Sequence, residues 1–155
     1  MAKNRTQKSP KSHFNFSFKN VVSISDFSRQ QIDAVLSKAK EMEQMAHTKK
    51  HKLLDGLNVA TLFFEPSTRT RLSFETAAQN LGAKVISVSD GAMTSQKKGE
   101  SISDSIRTIA GYADIIVMRH FIEGAARRAT EVCNKPIINA GDGSNQHPTQ
   151  TLLDL

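Results

Sequence analysis

The feature that most constrains this chain is an alternation, repeated four times, of a short apolar run with a segment of helical period. Leu57 to Phe64 is apolar and β-prone throughout, as a strand buried on both faces must be. Thr68 to Asn80 reads as a helix, with Ser67 as its cap and Gly82 as its stop. Val85 to Val88 predicts a second strand, and Ile102, Ile106, Ile109 and Ala110 a second helix that Gly111 helps to end. Asp114 to Met118 with Gly124 to Val132, and Pro136 to Asn139 with Thr149 to Leu155, repeat the unit. Pro148 suits the first turn of that last helix. Strands joined by helical crossovers run parallel, and the helices cover the sheet. The expected fold class is therefore α/β, a four-stranded parallel sheet with helices on both faces. Ahead of it, Ser28 and Gln31 form a capping-box pattern. It opens a helix predicted from Phe27 to Ala46, striped by Ile32, Val35, Leu36, Ala39 and Met42.

At 155 residues the chain has room for one core and hardly for two. The formal net charge of +6 raises the question of nucleic acid. Residues 1–52 carry 11 Lys/Arg against 4 Asp/Glu, and residues 53–155 carry 10 against 11. The excess belongs to the N-terminal arm and first helix, with Phe14, Phe16 and Phe18 interleaved. We expect residues 1–17 to be a basic, partly disordered arm, residues 18–155 the folded domain, and no nucleic-acid partner. The run Lys49 to Lys52, with His51 inside it, reads as a solvated connector. No apolar run is long enough for a membrane helix, and the N-terminus lacks the apolar stretch of a secretory signal. A single cysteine, Cys133, excludes an internal disulfide and points to a reduced, cytoplasmic compartment.

In a parallel sheet of this kind, ligands bind beyond the carboxyl ends of the strands. Glu65 to Arg71, Arg119–His120 and Gly141 to Gln150 all fall there. Ser67, Thr68, Arg69, Thr70 and Arg71 open a helix directly after a strand. Unpaired N–H groups, hydroxyls and guanidinium forks there suit a phosphate. The competing reading has Ser67 as a plain cap and the two arginines paired with Glu65, Glu75 or aspartates, Arg71 being the more structural. Arg119, at the end of a buried strand, must face a ligand or a carboxylate. His147 and Gln150 share one side of a first helical turn. His147 offers a neutral donor or a cation to a carbonyl oxygen. The polar loop from Ser89 to Gly99, with Ser95, Lys97 and Lys98, reads as a lid over a phosphate or as an exposed mobile segment. No Cys/His pair, HExxH, GxGxxG or Walker lysine pattern occurs, so neither metal nor nucleotide has support.

Phe64-Glu65-Pro66-Ser67-Thr68-Arg69-Thr70-Arg71 resembles the phosphate-binding signature of the aspartate and ornithine carbamoyltransferases. Leu72-Ser73-Phe74-Glu75-Thr76, Val117-Met118-Arg119-His120 and Asn139 to Gln150 resemble the aspartate branch, the last discriminating best from the ornithine enzymes. The likeness runs from about Phe18 to Leu155. It implies transfer of a carbamoyl group from carbamoyl phosphate to the amine of L-aspartate, in pyrimidine biosynthesis, with no cofactor. It also implies that Ser67, Thr68, Arg69 and Thr70 bind the phosphate, and that Arg119 bridges phosphate and carbamoyl oxygen. Thr70 and His147 would polarise that oxygen, and Gln150 would hold the carbamoyl amine. Ser95 and Lys98 would reach the site of a neighbouring chain in a homotrimer, to which a regulatory chain could attach. The family's aspartate-binding half is expected to be missing after Leu155, leaving Leu152, Leu153 and Leu155 poorly covered. Two other readings stay open: a stand-alone carbamoyl phosphate- or phosphate-binding module or non-catalytic partner subunit, and an ornithine carbamoyltransferase.

Overall fold

The computed structural model describes residues 19–46, 51–89 and 100–155. The basic arm with Phe14, Phe16 and Phe18, and the loop carrying Ser95, Lys97 and Lys98, lie outside them. After a short 3-10 turn at Ile24–Asp26 come α1 (Arg29–Ala46), β1 (Asn58–Phe63), α2 (Thr68–Asn80) and β2 (Lys84–Ser89). There follow α3 (Ile102–Ala110), β3 (Ile115–His120), α4 (Ala125–Val132), β4 (Ile137–Asp142) and α5 (Pro148–Asp154). All strand pairs are parallel and the order is β2-β1-β3-β4. The chain thus leaves β1 in one direction and returns past it to β3, so the sense of winding reverses between those two strands. A crevice opens at such a switch point, above the carboxyl ends of β1 and β3.

Alternation along the strands sorts side chains onto two faces. Ala60, Leu62, Ile116, Met118 and Ile137 join Ile106 of α3 and Ala126 and Ala129 of α4 in one core. Val59, Phe63, Val117 and Ala140 join Ala78 of α2 in the other, with Phe74 packed against it. Helices therefore cover both faces, as the strand–helix alternation predicts. Both inner strands are nearly continuous in burial, from Val59 to Phe63 and from Ile116 to Met118. Val21 extends the β4 edge by one parallel bridge to Ile138. No helix among the described residues is long and apolar enough to cross a membrane.

Several boundaries differ from the sequence reading. The capping box is formed, Ser28 Oγ accepting from Gln31 N–H and Gln31 Oε1 from Ser28 N–H, so α1 starts at Arg29 and not Phe27. Phe27 instead closes the 3-10 turn, its N–H donating to Ile24 O. β3 continues through Arg119 and His120, and β4 through Ala140, Gly141 and Asp142, where a loop is predicted. His51 is not solvated: it is half-buried, its N–H donates to Asn80 O, and its Nε2 lies 3.2 Å from Met45 O. Gly82 ends α2 as predicted, at φ +94°, where an added Cβ would lie 3.0 Å from His51 O. Leu153 and Leu155 are exposed, and Leu152 is half-buried.

Candidate functional site

The switch-point crevice is an open cleft of about 770 Å³ lined from three separate segments. Pro66 to Thr70, with Ser73, come from the β1–α2 junction, Arg119 from β3, and His147 and Gln150 from the start of α5. Among the described residues, two cations and no carboxylate line it, so the cleft favours an anion.

The β1–α2 junction has an unspent helix N-terminus. Ser28 and Ser101 cap α1 and α3 with their hydroxyls, yet Ser67, in the N-cap position of α2 at φ −156° and ψ 87°, makes no side-chain cap bond. The expected plain cap is therefore absent. Ser67 and the first turn of α2 line the cleft, at the positive end of the helix dipole. Arg69 is exposed and Arg71 half-buried, and neither joins an ion pair among the described residues. Pairing of these arginines with Glu65 or Glu75 is thus overturned. Glu65 binds Arg119, and Glu75 Oε1 accepts from Thr61 and Ser87 hydroxyls. Only Arg69 of the pair lines the cleft.

Arg119 is aimed by an irregularity in the sheet. Met118 faces Asn139 and His120 faces Asp142, so Arg119 opposes both Ala140 and Gly141. Such a bulge bends the strand and re-aims the side chain facing it. Gly141 adopts φ +119°, and a Cβ there would stand 2.8 Å from Arg119 Nη1. Only glycine admits both that backbone and that approach. Arg119 Nη2 pairs with Glu65 Oε1 at 3.1 Å, and Nη1 donates to Ala140 O at 3.3 Å.

His147 is the N-cap of α5, its Nδ1 accepting from Gln150 N–H at 3.3 Å. An amide N–H can only donate, so a neutral ring carries its proton on Nε2. Burial holds the imidazole below its ordinary value, and the Arg119 guanidinium pushes it the same way. His147 is thus a neutral Nε2–H donor beside two cations. Gln150 Nε2 donates to Asp154 at 2.9 Å, which leaves its Oε1 as an acceptor. A buried network holds this loop: the Asp142 carboxylate, 1% exposed, accepts from Asn139 Nδ2, Gln146 N–H, Gly124 N–H and Asn145 Nδ2. Among the described residues no cluster of three or more His, Cys, Asp or Glu could hold a metal ion.

The expected residues Ser67, Thr68, Arg69, Thr70, Arg119, His147 and Gln150 therefore meet in one place. Ser95 and Lys98 lie outside the described residues. Residue reasoning gave no site role to Ser73, Asn139 or the Asp142 carboxylate. Ser73 Oγ donates to Thr70 O one turn back and lines the cleft, at a spacing that an i, i+3 count could have found.

Residues 19–155 match the model of the aspartate/ornithine carbamoyltransferase carbamoyl-phosphate-binding domain. The chain belongs to the aspartate/ornithine carbamoyltransferase family. Similar proteins of this family include the aspartate carbamoyltransferase catalytic subunit of Phocaeicola vulgatus, 58% identical over 137 residues, 88% of this chain and 43% of that one. The subunit of the same name from Methanocaldococcus jannaschii is 58% identical over 138 residues, covering 88% and 45%. A crystal structure of the M. jannaschii catalytic subunit superposes with a TM-score of 0.84 at 57% identity, covering 89% of this chain and 45% of that one. The Trypanosoma cruzi aspartate transcarbamoylase, solved in complex with carbamoyl phosphate and aspartate, gives 0.81 at 41% identity, covering 88% and 45%. The chain spans less than half the length of these carbamoyltransferase relatives.

Proposed function

We propose that this domain binds carbamoyl phosphate and supplies the donors for transfer of its carbamoyl group to L-aspartate. The observation that carries the reading is the convergence of the uncapped α2 N-terminus, Arg119 and a neutral His147 on one cation-lined cleft. The phosphate sits on Ser67, Thr68, Arg69 and Thr70, through hydroxyls, first-turn N–H groups and the Arg69 fork. Arg119 spans phosphate and carbamoyl oxygen, and Thr70 and His147 Nε2–H donate to that oxygen. Gln150 Oε1 accepts from the carbamoyl amine. The aspartate amine attacks the carbamoyl carbon, the C–O bond to phosphate breaks, the amine's proton passes to the departing phosphate, and N-carbamoyl-L-aspartate and inorganic phosphate result. Preorganised donors at the developing oxyanion and at the leaving phosphate lower the barrier, and fixing both reactants supplies much of the rest. Ser95 and Lys98 complete the site of a neighbouring chain in a homotrimer, and the setting is a reducing cytoplasm.

Calorimetric titration with carbamoyl phosphate tests the first half. Binding by the wild-type chain, and a loss of at least about tenfold in Arg69→Ala with unchanged circular dichroism, is expected. Equal affinity in the variant sinks the phosphate assignment. Labelled carbamoyl phosphate offered with L-aspartate, and in parallel with L-ornithine, tests the second half. Carbamoyl-aspartate as sole product supports the aspartate reading, and carbamoyl-ornithine replaces it. Binding without transfer to either amine favours a stand-alone carbamoyl phosphate-binding module.

A further inference from the structure

Thr149 follows His147 by two residues but is not among the residues that line the cleft. With Leu152 and Leu153 it borders the apolar groove between α5 and α1. Its hydroxyl nevertheless turns back to the cleft histidine, Oγ1 lying 3.3 Å from His147 Nδ1. Gln150 N–H donates to the same Nδ1. That nitrogen is therefore an acceptor, and the Thr149 hydroxyl is the donor.

A helix cap needs the Gln150 bond and not a second one. Other hydroxyls on helices of this chain donate to a carbonyl three or four residues back. Ser73 bonds Thr70 O, Thr130 bonds Arg127 O, and Thr151 bonds His147 O. Three residues before Thr149 stands Gln146, whose carbonyl already accepts from Asp142 N–H and Asn139 Nδ2. Thr149 bonds the ring instead. A proton on Nδ1 would face Gln150 N–H and leave the Thr149 hydroxyl without its acceptor. Turning the ring about Cβ–Cγ would break both bonds.

We propose that Thr149 is a positioning residue for His147, its hydroxyl holding the ring with the Nε2–H turned into the cleft. The inference rests on the reading that His147 donates from Nε2 to the carbonyl oxygen of carbamoyl phosphate. It assigns the aim of that donor to a side chain outside the cleft.

The ring tautomer and titration of His147 are read from proton–nitrogen correlation spectra of the 155-residue chain, the signals assigned by their loss in His147→Asn. Thr149→Val removes the hydroxyl and keeps the shape, whereas Thr149→Ser keeps the hydroxyl. In Thr149→Val the Nδ1–H tautomer is expected to enter and the ring pKa to rise, because the neutral form loses a bond. Its affinity for carbamoyl phosphate falls about three- to tenfold in calorimetry. Affinity for inorganic phosphate, which lacks the carbonyl oxygen, stays within about twofold of wild type. Thr149→Ser keeps the wild-type ring signals and stays within about twofold in both titrations. In a His147→Asn background Thr149→Val costs less than about twofold. A hydroxyl that only braces α5 would lower the thermal midpoint and leave the ring signals as in wild type, and that result overturns the proposal. A Thr149→Ser variant no better than Thr149→Val overturns it too. Should Thr149→Val lose the circular dichroism of the folded chain, Thr149→Ala carries the same comparison. A wild-type chain that binds no carbamoyl phosphate removes the reading of the cleft, and the ring spectra, which need no ligand, still uphold or overturn the Thr149 contact.

Discussion

A single hydrogen atom decides one feature of the cleft. Gly141 sits at φ +119° with its missing Cβ 2.8 Å from Arg119 Nη1, so the guanidinium occupies space that any other residue would take. Gly141→Ala is expected to push Arg119 from its place and to strain the backbone by about 1–2 kcal/mol. A fall of several degrees in the thermal midpoint should accompany carbamoyl phosphate affinity reduced about tenfold or more. Retained affinity in calorimetry would show that Arg119 does not need that space. The histidines add a pH dependence. Both His120 and His147 lie below their ordinary 6.5 in the folded chain, chiefly through burial. Between the depressed folded value and 6.5 the unfolded chain holds more protons, so stability rises with pH in that window. Their influence is absent above 6.5 and grows as acidity increases below it. Thermal midpoints measured from pH 7.5 down to 5 should therefore fall, and less steeply in His147→Asn, whose amide oxygen can still cap α5.

Elements differ in how far their sequence betrays them. β1 and the start of β3 are legible because strands buried on both faces must be apolar throughout. Their continuations are not: Arg119, His120, Gly141 and Asp142 look like loop, since charged and glycine residues disfavour strands. In the sheet most of their polar atoms find partners, Arg119 Nε and His120 Nε2 being exceptions. Asp142 receives four donors, and Arg119 has a carboxylate and a carbonyl. The convergence of Ser67 to Thr70, Arg119 and His147 was legible through strand-end logic and motif. The Asn139–Asp142–Gln146 network was not, because spacings of three and four suggest a helix face, whereas the segment is a strand followed by a turn that brings these residues together. That turn carries its own expectation. Asp142→Asn would place an amide N–H against existing donors and forfeit up to two of the four bonds, a loss of about 2–4 kcal/mol. The denaturant midpoint should drop accordingly, and carbamoyl phosphate binding should weaken as His147 loosens. An unchanged midpoint would mean that the network contributes no net stability.

The molecule as a whole leaves one flank apolar. Leu153 and Leu155 are 77% and 71% exposed and, with Leu152, border a groove against Val35, Leu36 and Ala39 of α1. No residue of α1 whose burial is described is fully buried, and its predicted stripe is only half-covered. Leu153→Ser together with Leu155→Ser should therefore leave the thermal midpoint within about 1 °C while lowering binding of a hydrophobic dye, read by fluorescence. Undiminished dye fluorescence would place the apolar surface elsewhere. The strand order has a further consequence, in time and not in space. β1 pairs with β3 across a long intervening stretch, Val59 opposite Ile115, and the cleft needs that pairing plus the turn after β4. Contacts so distant along the chain close late, after the entropy of long loops has been met. On the proposed function, carbamoyl phosphate would meet its donors only in a nearly finished molecule, as a brake on unfolding, while folding would proceed at the pace of the bare chain.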